Sequence, residues 1–327
     1  AQYTLAEQYA GMEGTENHKT AAMWFKKSAE QGYAKGQYGL GFMYSKGRGV
    51  IQDYEIAARW FRKAAEQGLA EAQNYLGMLY VEGKGVSQDY VEAVKWFKKA
   101  AHQGYIRAQI SLAYSYLLGK GEIQNYQEAY KWYSRAADQG DARAQLDVGS
   151  MHLDGKGVPQ NPEKAFNWYK KAAEQGLAEA QHQLANMYHQ GLGVPQDYSE
   201  EIRWLNKAAE QGYAPSQLNL GNRYYEGDGV TQNYLEAFKW YKNAAEHGNA
   251  GAQYGLGLMF ASGKGVPNDF TEAIKWNLMS AEQGYSLAQF TLGEMYRRGD
   301  GVDQDHREAE KWFRKAAEQG QVDSQFN

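Results

Sequence analysis

The nine tryptophans of this 327-residue chain stand at a constant spacing, which constrains the fold more than any other feature. The first is Trp24, the last is Trp312, and each follows the previous one after 36 residues. A series of glutamines keeps the same step, except for one missing residue between Gln2 and Gln37. A fixed period of this length is typical of repeat proteins, in which each repeat packs on its neighbours. We therefore predict one domain of nine repeats (1–35, 36–71, 72–107, 108–143, 144–179, 180–215, 216–251, 252–287 and 288–323) with a stub at 324–327.

The repeat over 72–107 begins with a segment that predicts an amphipathic helix. Ala72, Leu76 and Leu79 recur at steps of three and four residues, which places them on one face of a helix. Gly83 and Gly85 follow this stripe, and glycine adopts the left-handed conformation that ends helices. The recurrent Gly-Lys-Gly-Val sequence is therefore interpreted as a helix end, because it follows a helix and lacks the Gly-Lys-Ser/Thr of a phosphate-binding loop.

A second helix is predicted from Asp89 to Gly104 in the same repeat. Asp89 stands three residues before Glu92, a variant of the capping box in which each side chain binds a backbone N–H of the other. Ala93 and Trp96 then fall on its apolar face, where small residues allow helix axes to approach closely. Two helices and two turns fill each repeat, so the predicted fold class is all-α.

Composition excludes several classes of function. The formal net charge of −4 gives no global positive field for nucleic acid, and the longest uncharged stretch, 248–263, is too polar to insert into a membrane. Cysteine is absent, and the motifs of serine and zinc hydrolases are missing. We therefore expect no enzymatic activity, no cofactor and no metal. The chain begins Ala1-Gln2-Tyr3, so we expect any targeting segment to have been removed or to lie outside this sequence, and no localisation is predicted.

The consensus A-Q-x-x-L-G-x-M-Y-x-x-G-x-G-V-x-Q-D-Y-x-E-A-x-x-W-F-x-K-A-A-E-Q-G resembles the Sel-one-like repeat, a relative of the tetratricopeptide repeat. The resemblance covers essentially the whole chain. It implies a right-handed superhelical α/α solenoid whose first helices line a concave groove. It also implies an adaptor that binds another protein, as family members do in secretion, quality control, signalling and host contact.

Candidate binding residues lie on the first helices. They occupy columns, meaning equivalent positions in successive repeats, that lie outside the apolar face used for packing, and by family analogy these columns face the groove. Apolar and aromatic residues dominate there, which is typical of a surface that anchors a partner. The alternative is that a tightly wound array partly buries this face against itself. The predicted groove residues are Tyr38, Phe42, Asn74, Met78, Ile110, Tyr114, Leu146, Asn186, Asn222, Tyr225, Tyr254, Leu258, Phe290, Glu294 and Arg297. The aromatic residues would anchor side chains of the partner, while the Asn, Glu and Arg side chains would fix its register.

Several residues depart from their columns. Glu201 stands at an Ala column, Arg223 at a Met column and His152 at a Tyr column. In the eighth repeat, Leu278 and Met279 replace basic residues and are expected to face outward as drifted surface positions or as a partner patch.

The main functional interpretation is a non-enzymatic scaffold that binds a peptide or protein segment, with three alternatives. One is a bacterial immunity or virulence factor that caps one dedicated folded partner. Another is a metal or small-molecule binder, or an enzyme, centred on His182 and His189, which Asp147 and Asp154 of the neighbouring first helix would complete. The last is a ligand-free spacer or engineered scaffold. Both ends lack a polar cap, which predicts end-to-end self-association.

Overall fold

The computed structural model describes residues 1–319, so the predicted stub at 324–327 and the end of the ninth repeat lie outside the described residues. The described chain forms 18 α-helices and no strand. They are α1 (Gln2–Ala10), α2 (Thr15–Glu30), α3 (Ala34–Lys46), α4 (Tyr54–Glu66), α5 (Ala70–Glu82), α6 (Tyr90–His102), α7 (Ile106–Leu118), α8 (Tyr126–Asp138), α9 (Ala142–Asp154), α10 (Pro162–Glu174), α11 (Ala178–Gln190), α12 (Tyr198–Glu210), α13 (Ala214–Glu226), α14 (Tyr234–Glu246), α15 (Ala250–Ser262), α16 (Phe270–Glu282), α17 (Ser286–Arg298) and α18 (His306–Glu318). Odd-numbered helices are the first helices of their repeats and even-numbered helices the second.

Two compact units divide the chain, the first over residues 1–168 and the second from Tyr169 onward. In the first unit, each helix from α1 to α9 packs against its neighbours in sequence, and α11 to α18 do the same in the second unit. This nearest-neighbour packing defines a helical solenoid, which confirms the predicted all-α repeat class. The repeat boundaries and the single domain stay predictions. No helix among residues 1–319 combines the length and apolar character that a bilayer crossing requires.

The second helices begin where the sequence predicts, although only half of the expected capping box forms. The Asp89 carboxylate accepts a hydrogen bond from the backbone N–H of Glu92 at 2.9 Å. The reciprocal bond is missing because the Asp89 N–H already donates to the carbonyl of Tyr80 at 3.0 Å, and the Glu92 carboxylate pairs with Lys95 at 2.8 Å. The prediction of a reciprocal box is therefore wrong, while the helix start is correct. Equivalent caps are formed by Asn125, Asn161, Asp197, Asn233, Asp269 and Asp305.

The two glycines that follow α5 are required for different physical reasons. Gly83 ends α5 in the left-handed conformation, with φ of 67°. Gly85 also has a positive φ, of 68°, and a Cβ built there would lie 2.1 Å from the carbonyl oxygen of Tyr54 in the preceding repeat. The first glycine therefore turns the chain, and the second lets two repeats approach closely.

The core of the third repeat joins the Phe97 ring of α6 to a small residue on the neighbouring helix. Ala93 and Trp96 of α6 are buried, as predicted for its apolar face, and Phe97 is buried beside them. A Cβ added to Gly77 of α5 would come within 2.5 Å of the Phe97 ring, so the ring occupies the space that glycine leaves. Close helix packing in this repeat therefore depends on the small residue that the sequence placed there.

Glutamines connect successive helices through a repeated set of buried hydrogen bonds, which we call the glutamine ladder. Gln73 donates to the carbonyl of Ala65 at 3.0 Å and accepts a bond from Gln103 at 2.8 Å. The bond between glutamine side chains recurs, donor first, as Gln67–Gln37, Gln139–Gln109, Gln211–Gln181, Gln283–Gln253 and Gln319–Gln289. The Ala65 carbonyl also accepts a hydrogen bond from the backbone N–H of Gly68 at 3.0 Å, so the glutamine is its second donor. The ladder accounts for the 36-residue spacing of these glutamines, because each joins a carbonyl near the end of one second helix to the glutamine that follows the next second helix.

The eighth repeat carries a polar residue at an aromatic core column. Asn277 is fully buried, and its side-chain N–H donates to the carbonyl of Ala273 at 2.9 Å. Met279 is 40% exposed, as expected, but Leu278 is half-buried against the cluster that contains Leu292. The expectation that Leu278 faces outward is therefore wrong, because the side chain closes the contact with the next helix.

Candidate functional site

The predicted groove residues occupy three different environments. Met78 and Tyr114 are well exposed, at 40% and 53%, and Arg297 is also exposed. Asn74 and Leu146 are buried, at 1% and 3% exposure. The other residues are half-buried: Tyr38, Phe42, Ile110, Asn186, Asn222, Tyr225, Tyr254, Leu258, Phe290 and Glu294.

Asn74 and Leu146 correct the sequence-based set, because neither side chain offers surface to a partner. Asn74 has its amide nitrogen 3.7 Å from the sulfur of Met78 and lies beneath that side chain. Leu146 belongs to the buried apolar residues of the first unit. Both fall on the helix face expected from their spacing, but their side chains are buried at these two positions. They are therefore not part of the candidate binding surface.

Several predicted aromatic anchors already contact other rings of the protein. Tyr38 lies 6.5 Å from Phe42 and 5.7 Å from Tyr75, measured between ring centroids. Tyr254 packs 5.4 Å from Tyr285 in the second unit. Burial raises the pKa of both Tyr38 and Tyr254. These rings stabilise the repeats as well as offering part of their surface, which agrees with the alternative that this face is partly buried against itself.

Two of the predicted polar residues also have partners within the protein. The Asn222 side-chain oxygen accepts a hydrogen bond from the Tyr241 hydroxyl at 2.8 Å. Glu294 pairs with Arg297 at 2.7 Å, and hydrogen bonds from that guanidinium lower the pKa of the carboxyl. A partner that used these groups would have to replace existing bonds, so they are weaker candidates than Met78 and Tyr114.

An apolar pocket of about 220 Å³ lies in the first unit between two successive first helices, α5 and α7, above α6. Met78 and Tyr114 are part of its wall, and the buried Phe97 ring is also among the lining residues. We call it the α5–α7 pocket; its lining is Met78, Val81, Glu82, Tyr90, Phe97, Ser111, Tyr114, Ser115 and Lys120. It joins the two best exposed apolar side chains of the predicted set to a concave apolar surface, which is the arrangement that binds an apolar group.

Ser115 was missing from the sequence-based set, although the repeat itself contains the signal. Its column otherwise holds a long side chain: Met43, Leu79, Met151, Met187, Arg223, Met259 and Met295. Ser115 turns its hydroxyl to the carbonyl of Ser111 at 2.9 Å and fills little of the space above Phe97. A search for small residues in otherwise bulky columns would have found this position.

The histidines proposed as an alternative metal site have other partners. The Nδ1 atom of His182 lies 2.9 Å from the Ser216 hydroxyl, and burial lowers the pKa of this imidazole. The Nδ1 atom of His189 lies 3.1 Å from a carboxylate oxygen of Glu201, while Asp154 pairs with Lys156 at 2.8 Å. Among residues 1–319 there is no group of three or more His, Cys, Asp or Glu side chains that could hold a metal ion. The alternative of a metal site at these histidines therefore finds no supporting group of ligands among the described residues.

The two departures Glu201 and Arg223 form a buried ion pair in the second unit. The guanidinium Nε donates to the Glu201 carboxylate at 2.8 Å, and the two side chains are only 2% and 14% exposed. Arg223 also contacts His189 and forms an ion pair with Asp228. A buried carboxylate requires such a partner, so the two departures compensate each other. Their pairing was not predicted from the sequence, because it joins columns on different helices.

The repeated pairs of helices define a helical-repeat protein. The chain belongs to the Sel1 repeat family, which serves in protein interaction. Nine Sel1 repeats match residues 1–33, 34–69, 70–105, 106–141, 142–177, 178–213, 214–249, 250–285 and 286–321. From the second repeat onward these boundaries fall two residues before the predicted ones, a difference in where the period is counted from.

Solved structures agree with this assignment. A Sel1 repeat protein from Oxalobacter formigenes is 35% identical, with a TM-score of 0.72 over 98% of this chain and 92% of that one. The protein c5321, described as a protective antigen of uropathogenic Escherichia coli, is 34% identical, with a TM-score of 0.59 over 97% of this chain and 83% of that one. None of the curated proteins matches the chain.

Proposed function

We propose that this protein is a non-enzymatic interaction scaffold that binds a peptide or protein segment on the exposed surface of its first helices. The observation that carries the proposal is the α5–α7 pocket, where Met78 and Tyr114 present apolar surface to solvent. Large exposed apolar side chains beside a concave apolar surface are typical of sites that anchor a partner.

The charge of the surrounding surface favours protein over polyanionic partners. The formal net charge of −4 offers no general attraction for nucleic acid. Basic residues of the second helices lie over tryptophan rings of the same helix, as Lys63 does over Trp60 and Lys99 over Trp96, at 4.4 and 4.0 Å. These cations cover apolar surface within the protein and do not form a free basic stripe.

The proposal is tested by selecting a random-peptide display library against the parent protein and two variants. The first variant, Met78→Glu with Tyr114→Glu, places charge at the pocket and should abolish enrichment. The control, Val91→Glu, changes a 55% exposed apolar residue of α6 that does not line the pocket and should leave enrichment unchanged. Circular dichroism and urea unfolding establish that all three proteins are folded.

Motif enrichment on the parent and on Val91→Glu, with loss on the double variant, supports the proposal. Equal enrichment on all three proteins contradicts the assigned surface. Absence of enrichment on the parent contradicts segment binding and favours the alternative of one dedicated folded partner.

A further inference from the structure

Two residues at the α5–α7 pocket depart from the repeat pattern, and the groups that they lack indicate the chemistry of a segment that would fill the pocket. One is Ser115, at a column of long side chains, and the other is Leu118, at a column that is acidic in the two adjacent repeats. The inference drawn from them rests on the proposed function and concerns the chemistry of the bound segment.

The first departure removes an apolar side chain from above the Phe97 ring. In six other repeats the Ser115 column holds a buried Met or Leu: Met43, Leu79, Met151, Met187, Met259 and Met295. The sulfur of Met295, in the ninth repeat, lies 3.8 Å from the side-chain nitrogen of Asn277 in the eighth repeat, and Asn277 occupies the column of Phe97. A long side chain in this column therefore packs on the preceding second helix, and the α5–α7 pocket occupies the corresponding space in this repeat.

The second departure removes a carboxylate from beside Lys120. In the preceding repeat Lys84 pairs with Glu82 at 2.7 Å, and in the following repeat Lys156 pairs with Asp154 at 2.8 Å. Leu118 stands at the equivalent acidic position and has no charge to offer Lys120.

Lys120 consequently lines the pocket as a cation without a counter-ion. Its ammonium lies 5.4 Å from the centroid of the Tyr90 ring, and within residues 1–319 it forms no ion pair with a carboxylate. The nearby Glu82 carboxylate is neutralised by Lys84, so the remaining charge of the pocket rim is positive.

We propose that the α5–α7 pocket binds a segment of a partner protein that supplies both missing groups: a Met or Leu side chain and a nearby carboxylate. The apolar side chain enters the space above Phe97 that Ser115 leaves open, and the carboxylate pairs with Lys120. Exposed Tyr114 and Met78 cover the inserted side chain from either side. Burial of the apolar side chain provides most of the affinity, and the exposed ion pair provides orientation.

The probes are blocked Gly/Ser nonapeptides with Met at the centre and one Asp placed one, two or three residues to either side. Binding is followed by the Met78 ε-methyl signal in ¹H–¹³C spectra of methyl-labelled protein, with the Met151 signal as an internal control. We expect at least one peptide to move the Met78 signal saturably. Replacing its Met by Ala should weaken binding roughly tenfold, and replacing its Asp by Asn roughly threefold.

Two variants separate the pocket from the rest of the surface. Ser115→Met restores the residue of the neighbouring repeats and should abolish peptide binding while the urea midpoint stays at or above that of the parent. Ser115→Leu, for which Leu79 is the precedent, serves if the Met variant does not fold. Leu118→Glu gives Lys120 an internal partner and should remove the advantage of Asp over Asn in the peptide. Met151→Leu is a volume-conserving control in the same column as Ser115.

The inference is overturned if no peptide moves the Met78 signal, or if the folded Ser115→Met variant binds as tightly as the parent. Its failure is distinguishable from failure of the proposed function. Display enrichment that is lost in Met78→Glu with Tyr114→Glu but kept in Ser115→Met leaves segment binding standing and overturns only the occupant assigned to the pocket.

Discussion

The glutamine ladder is interrupted at His247, and repairing it should stabilise the protein. His247 occupies the C-cap position of α14, where glutamine stands in the other repeats. Its ring Nδ1 lies 2.7 Å from the carbonyl oxygen of Asn243 and not at the ladder. The side-chain oxygen of Gln217 is consequently buried without a hydrogen-bond partner in the described chain. His247→Gln should supply the missing donor.

The magnitude follows from the intact step one repeat later. There Gln283 donates to Gln253 at 2.7 Å and also reaches the carbonyl of Met279, four residues before it, at 3.4 Å. A glutamine at 247 should thus keep a contact with Asn243 while satisfying the buried oxygen of Gln217. Leaving a buried acceptor unpaired costs about 1–3 kcal/mol, so we expect the substitution to raise the free energy of unfolding by about 1–2 kcal/mol.

Urea unfolding followed by circular dichroism measures the change, and amide hydrogen exchange of α13 and α14 locates it. The matched control is Gln283→His, which makes the same interruption one repeat later and should lower the unfolding free energy by a similar amount. The reasoning is refuted if His247→Gln leaves the protein no more stable while Gln283→His destabilises it, because the buried oxygen of Gln217 would then carry no cost.

Three further predictions concern other departures from the repeat. Arg223→Met alone should lower the unfolding free energy by about 3 kcal/mol, because it leaves Glu201 buried without its main partner. Adding Glu201→Ala should recover most of the loss. Urea melts of both variants measure the two effects, and a double variant no more stable than Arg223→Met contradicts the reasoning. Burial and the nearby Lys164 lower the pKa of His152 in the folded protein. As the pH falls below about 6.5, the unfolded chain therefore binds a proton at this histidine before the folded protein does, and the free energy of unfolding decreases. His152→Tyr should therefore reduce the change in unfolding free energy between pH 7 and pH 5 by up to about 1.4 kcal/mol per pH unit, and an unchanged slope in urea melts would count against it. Asn277→Phe removes a buried unpaired oxygen and places a ring beside Gly257, which should stabilise the protein by roughly 1–3 kcal/mol in the same assay.

The sequence predicted those parts of the fold that depend on local residues. The helix start at Asp89, the left-handed turn at Gly83 and the buried face of α6 all follow from residues within a few positions of each other. Repetition strengthens such signals, because the same local pattern returns in each period. The role of the ladder glutamines did not follow, since Gln73 and Gln103 are 30 residues apart and only packing brings their side chains together.

The candidate site was predicted only in part, because helical spacing assigns a face without revealing what covers it. Tyr114 and Asn74 were assigned to one binding surface, yet Tyr114 is 53% exposed and Asn74 is 1% exposed. Ser115, on which the proposed occupant of the pocket depends, lies in a column that the sequence assigns to packing between helices. Its side chain is shorter than the others in this column and leaves space above the Phe97 ring, and only the packing of the two helices reveals that space.

The effect of a residue that departs from the repeat depends on whether other residues of the protein compensate the interactions it changes. Glu201 and Arg223 compensate each other in the interior, so together they preserve the fold and leave little for a ligand to do. The unpaired oxygen of Gln217 is buried, so only a mutation can satisfy it and its cost falls on stability. Lys120 and the space above Ser115 are uncompensated where another molecule can reach them. In the proposed mode of binding, only this last kind of departure makes a scaffold position part of a binding site, because a partner can recover the interactions that the repeat lacks there.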